Sequence, residues 1–229
     1  MRLLTLLCLL LSACATTGTD QKLNSATAFF EIPSHGFTIP AQGEDSWTME
    51  RLVLEFGRAT NQRCLFNEFT LKRLKKLRVP FEEELVVPPE QVYAVVEAAL
   101  VENDLALSIV REDSPRFILV HEFPAPRHHG LRKQRPFLIP VSEIDMWADH
   151  PAYLVRTVVI LEHMNVRYLT NALRATYWGG GITQVMAIGD SRGVLLQGSS
   201  RWVAMHVRII QLTDEAAGAL AQADASSTP

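Results

Sequence analysis

Only three cysteines occur among 229 residues, and no apolar stretch is long enough to cross a bilayer. The longest apolar run, Leu3 to Leu11, reaches about half of the roughly 20 residues that a spanning helix needs. Positive charge is scarce too: 22 Lys and Arg face 25 Asp and Glu, leaving a formal charge of −3. A mildly acidic chain lacks the field that draws nucleic acid, so that class of partner is not expected. So few cysteines exclude a disulfide scaffold, and stability must come from packed cores. Cys64, in Arg63-Cys64-Leu65-Phe66, reads as a small buried strand residue and not as a reactive thiol. No Ser/His/Asp or Cys/His arrangement has a motif behind it, and no strand series alternates as in a membrane barrel.

What is present begins with the leader. Met1 and Arg2, the apolar run and then Leu11-Ser12-Ala13-Cys14 make a secretory signal with small residues before a cut site. Leu-Ser-Ala-Cys resembles the lipobox of bacterial lipoproteins. That resemblance implies cleavage after residue 13, acyl chains on Cys14, and anchoring to a membrane through them, since two or more chains hold stably where one does not. Ala15, where an aspartate would favour inner-membrane retention, points to the periplasmic face of the outer membrane. Residues 14–35, polar and small at their start, read as a flexible tether.

Beyond the tether, two segments show mixed periodicity. In the first, 36–122, an extended Phe37-Thr38-Ile39 precedes a helical stripe of Met49, Leu52, Val53, Phe56 and Ala59. Cys64 to Phe69 and Phe81 to Val87 read as strands. Pro88-Pro89-Glu90 opens a second helix, which Asn103 can close in a left-handed conformation. A hairpin follows around Asp113-Ser114-Pro115, giving β-α-β-β-α-β-β. Residues 123–136 form a linker with three prolines and the basic run Arg127, His128, His129, Arg132, Lys133 and Arg135. In the second segment, 137–214, a β-branched strand at Val155–Leu161 leads to a helix capped by Asn165. The glycine run 179–181, a hairpin at Gln184–Gln197 and a last helix capped by Ser199 or Ser200 follow, giving β-α-β-β-α. The remainder, 215–229, is expected to be disordered. Both segments belong to the α+β class.

The first segment resembles the periplasmic domain that opens bacterial secretins, which is related to the short signalling domain of TonB-dependent receptors. Phe37-Thr38-Ile39-Pro40-Ala41-Gln42, Pro89-Glu90-Gln91-Val92-Tyr93 and Phe117-Ile118-Leu119-Val120 carry the likeness. The second resembles the KH-like, ring-building domain that follows in secretins, through Val158-Val159-Ile160-Leu161, Leu169 and Leu173, and Val194-Leu195-Leu196-Gln197-Gly198. The resemblance implies a non-enzymatic, protein-binding component of a type II secretion or type IV pilus machine without its own pore, with self-association into rings as one arrangement. Its expected partners are secretion or pilus proteins, met by strand addition at open sheet edges. The surfaces expected to do this are Phe37, Thr38 and Ile39, and Val194, Leu195 and Leu196.

Other candidate residues lack a matching motif. His128-His129 has no further metal ligand close in sequence, and Asp145, Asp149, His150 and His163 match no ligand spacing. The order of Trp178-Gly179-Gly180-Gly181, after a helix and before a strand, is the reverse of a phosphate loop. No GxxG loop joins two helices, as nucleic-acid binding by a KH fold would need. No cofactor, metal or catalytic residue is therefore expected. Two alternatives remain open at this point, a signalling or cargo-binding lipoprotein and a metal-dependent hydrolase using His150.

Overall fold

The computed structural model describes residues 29–43, 46–79, 81–112, 114–122, 136–175, 183–189 and 191–226. Cys14, the basic run 127–135 and the glycine run 179–181 lie outside the described residues. The architecture is mixed α+β, with six α-helices and three small sheets among the described residues.

A two-stranded antiparallel sheet pairs β1 (Phe37–Ile39) with β3 (Leu85–Val87). A three-stranded sheet has the order β2-β5-β4, in which β2 (Gln62–Phe66) runs parallel to β5 (Arg116–Glu122), and β4 (Leu105–Arg111) antiparallel to it. The third sheet has the order β6-β7-β9-β8. Here β6 (Phe137–Leu138) lies parallel to β7 (Leu154–Ile160), while β9 (Gly193–Ser199) sits antiparallel between β7 and β8 (Gln184–Ala187).

Helix α1 (Met49–Ala59) starts where the Thr48 hydroxyl accepts the Arg51 amide, and it buries the apolar stripe that its sequence displays. Its Gly57 is required by contact, since a Cβ there would stand 2.7 Å from the Gln62 carbonyl oxygen. The helix therefore rests directly on the start of β2. Helix α2 (Glu68–Lys76), capped by Asn67, replaces the end of the strand expected over Cys64–Phe69. It buries only Thr70 and Leu74, too little apolar surface to give the sequence a period. Helix α3 (Val92–Glu102) follows the paired prolines and is apolar nearly all round. Its turn into β4 places Asp104, and not Asn103, in the left-handed conformation at φ 54°.

The second half carries α4 (Ile144–Ala148), α5 (Val166–Ala175) and α6 (Ser200–Ser226). Asn165 caps α5 by accepting the Arg167 amide at 2.9 Å. Ser200 is the first residue of α6, and its hydroxyl donates to the His150 carbonyl at 2.6 Å. Helix α6 runs 27 residues, so the stretch expected to be disordered from residue 215 is helical through Ser226. Asp214 accounts for this. Its carboxylate accepts the backbone amides of Glu162, His163 and Met164 at 2.7, 3.0 and 2.7 Å, and those bonds hold it below the usual carboxylate range although burial opposes them. One turn on, the helix backbone at Gly218 lies against the His163 ring, where a Cβ would meet the ring at 2.5 Å.

The expected tether also ends early. From Phe29 the chain is packed: Phe29 is 4% exposed and stacks on Trp147 and Phe137, while Phe30 lies flat on the His150 ring at 3.4 Å. Aromatic pairs add about 0.5–1.5 kcal/mol each beyond the area they bury, which outweighs an exposed pair such as Lys72–Glu68 at about 0.3–0.5 kcal/mol. These rings tie both halves into one continuous hydrophobic core.

Candidate functional site

The halves meet along the outer rim of β4. The Leu107 amide donates to the Ala152 carbonyl at 2.8 Å, and Leu107 bridges Tyr153 in parallel register. Just behind this bridge, Glu97 of α3 is 1% exposed. One of its oxygens lies 2.7 Å from His150 Nδ1, and the other accepts the Ala152 amide at 3.1 Å. Burial raises the Glu97 pKa, and the His150 contact offsets part of that rise. Beneath the pair, the Gln62 amide donates to the Tyr93 hydroxyl at 3.1 Å, and burial pushes the Tyr93 and Tyr153 phenols well above their ordinary range.

A carboxylate on a histidine Nδ1 is the arrangement that orients a general base in hydrolases. Here the ring lies under Phe30, and the nearby Ser200 hydroxyl is committed to the His150 carbonyl. The pair fixes the joint. A second serine–histidine contact, Ser108 Oγ to His121 Nε2 at 2.8 Å, is 3% and 1% exposed and has no carboxylate behind it. Burial lowers the His121 pKa to about 4, so the ring is neutral at pH 7. Its Nδ1 has no hydrogen-bond partner among the described residues. Cys64 is equally inert: its thiol donates to the Val53 carbonyl, and burial pushes its pKa up to about 12.

The loose acidic and histidine set does not converge. Asp145 faces Arg208 at 3.4 Å, His163 packs against Gly218, and Asp149 lines a different surface. Among the described residues no three His, Cys, Asp or Glu side chains stand close enough to hold a metal ion. None of their helices is long and apolar enough to cross a membrane.

What the surface offers is rims and a groove. β1 is an outer strand, with Thr38 exposed, Ile39 fully buried, and Phe37 tilted over Trp47 at 5.8 Å. Val194, Leu195 and Leu196 are elsewhere than strand addition requires. They lie on β9, which is hydrogen-bonded to β7 on one side and β8 on the other, and Val194 and Leu196 are fully buried. The sequence displayed the apolar triplet but could not show that the strand is internal. The open rim of that hairpin is β8. Because the Ile188 amide bonds inward to Gly193, the alternation of an antiparallel ladder turns the backbone groups of Val185 and Ala187 outward. One of these is already taken, as Arg174 Nε donates to the Val185 carbonyl at 2.9 Å. Between α3 and the start of α6 runs a groove of about 670 Å³, floored by Ala94, Ala98, Val101 and Met205 and edged by Glu102, Asp104, Asp149 and Arg201. It is apolar below and acidic at the lip.

No family model matches the chain, and no curated protein matches it. Among solved structures, it is similar to a chain of the type II secretion outer membrane complex of Klebsiella pneumoniae, which contains PulD, PulS and the PulC HR domain. The identity is 12%, the TM-score 0.49, and the match covers 74% of this chain and 26% of that one. This chain thus spans about a quarter of the length of that relative. It is also similar to the enterotoxigenic Escherichia coli GspC–GspD complex, at 14% identity and TM-score 0.28, covering 79% of this chain and 99% of that one. A third similarity is to the N-terminal domain of the secretin XcpQ from Pseudomonas aeruginosa, at 10% identity and TM-score 0.25, covering 79% and 65%.

Proposed function

We propose that the protein is a non-enzymatic envelope lipoprotein that serves a type II secretion or type IV pilus-like machine as a protein-binding component. Two secretin-like units, 36–122 and 137–214, carry the binding, and acyl chains on Cys14 hold them at the periplasmic face of the outer membrane. The observation that supports this most is the pair of outer strands, β1 in one half and β8 in the other. An unpaired rim offers main-chain donors and acceptors in register, which another chain can extend by one strand. The buried joint supports it from the other side. The Glu97–His150 and Ser108–His121 contacts are closed off by packing, whereas the rims keep main-chain groups accessible.

Photo-crosslinkers placed at Thr38 and at Ala187 in intact cells, followed by mass spectrometry, test the reading. A secretion or pilus protein should be captured from at least one position. Capture from a probe moved to the neighbouring, exposed Ile188 should fall when Ala187 is changed to proline, which removes an outward amide and leaves the ladder to β9 intact. Recovery of only lipids and abundant porins from both positions would overturn it.

A further inference from the structure

Helix α6 has two apolar faces, and the body of the protein uses one. Val203, Val207, Ile210 and Asp214 turn inward. On the far side, Trp202, Met205, Ile209, Leu212, Ala216 and Ala219 recur at alternating intervals of three and four. That is the spacing of a coiled-coil seam. At 100° per residue this stripe lies about 150° around the helix from the buried face; its first two residues, Trp202 and Met205, also line the groove beside α3, and from Ile209 onward it points into solvent. Met205, Ile209 and Leu212 are 50%, 41% and 66% exposed, Ala216 and Ala219 are exposed, and Trp202 is half-buried. The outer face of a helix on an ordinary α+β domain is polar. A contiguous apolar stripe there marks a contact surface.

We propose that this stripe pairs antiparallel with the same stripe of a second copy of the chain. The stripe tapers, with bulky side chains in its first half and alanines in its second. Running two copies in opposite directions sets Trp202 on Ala219 of the second copy, Met205 on Ala216, and Ile209 on Leu212. Each layer then has similar volume, which close packing needs. A parallel pair would stack tryptophan on tryptophan and alanine on alanine, leaving one end wedged apart. Charge selects the same partner. Arg208 and Glu215 flank the stripe on one side, and only the antiparallel register faces each against the other, twice, across the symmetry axis. Arg208 is 3.4 Å from Asp145 within its own chain, but both side chains are more than 70% exposed, so that pair is worth little and yields readily. A foreign helix would have no reason to match both the taper and this charge pattern; a copy of the chain matches both by symmetry. The pairing does not rest on the secretion reading and stands or falls separately.

Sedimentation equilibrium of the full-length chain carrying Cys14→Ser, so that no acyl chain contributes, reads the association over about 1–100 µM. The chain should dimerise. Arg208→Glu or Glu215→Arg alone places like charges face to face and should weaken the dimer about tenfold or more. Mixing the two single variants restores opposite charges at both contacts and should recover the affinity. Ile209→Asp, at an exposed position, should abolish the dimer with the circular dichroism spectrum unchanged. A parent chain that stays monomeric at 100 µM, a dimer indifferent to single charge reversal, or a mixture that fails to recover would each overturn the proposal.

Discussion

The rims of β4 and β8 end two neighbouring sheets, yet they are treated in opposite ways. At β4 the second half of the chain takes over the rim: Leu107 bonds to Ala152, and Glu97 and His150 lock the contact from behind. At β8 a single guanidinium, from Arg174, occupies one outward carbonyl. The first rim is closed by the fold and the second merely shielded. A closed rim serves stability, and a shielded one can still receive a strand.

Breaking the closed rim should have the largest effect. Glu97→Ala leaves His150 and the Ala152 amide without their partner and should cost about 4 kcal/mol in urea unfolding. Glu97→Gln keeps hydrogen bonds while removing the buried charge, so its loss should be less than half as great. Equal losses in the two variants would mean that charge, and not hydrogen bonding, closes the rim.

The next effect is one of pH and centres on His121 in the first half. His121 binds a proton less readily when folded than when unfolded, so the unfolded chain takes up more protons as pH falls from about 6.5 toward 4. Its contribution is therefore complete above pH 6.5 and lost on acidification, by roughly 2–3 kcal/mol at pH 4. Glu97 works the other way. Its raised pKa makes its burial costly at neutral pH, and protonation relieves that cost. Comparing the parent with His121→Gln across this range isolates the histidine: the variant's stability should fall less steeply with acid. Parallel curves for the two proteins would remove His121 from the account.

The smallest effect concerns the shielded rim. Arg174→Ala should cost under about 1 kcal/mol, because the guanidinium is one partly exposed donor to one carbonyl. It should instead quicken amide exchange at Val185 and Ala187 and increase crosslinking from Ala187. A large loss of stability would show that the rim is closed after all.

The sequence made the apolar skeleton plain. Met49, Leu52, Val53, Phe56 and Ala59 face the core as their spacing requires, and the β-branched run after Leu154 forms the strand it suggested. Helix α2 was hidden because a helix that buries two residues has no readable period. Helix α4, at five residues, is shorter than any window in which periodicity can show. The joint was hidden for a different reason. Glu97 is one carboxylate on an otherwise apolar helix face, and the histidine that explains it lies 53 positions away. Phe29 and Phe30 looked like part of a tether since the rings they meet come from later segments. The strand triplet Val194–Leu196 was visible, but whether a strand is internal or at an edge depends on pairing, which local pattern does not carry.

Asp214 carries a consequence for the order in which the second half can be completed. Three amides ahead of α5 find their acceptor on a carboxylate encoded some fifty positions later, near the end of the chain. Until that late segment is present the loop has no anion to wrap, and the helix it introduces starts from an unfinished footing. Trimming the chain before this residue would remove a clasp and not a tail, and growth from the amino terminus leaves this half open until the middle of α6 has arrived.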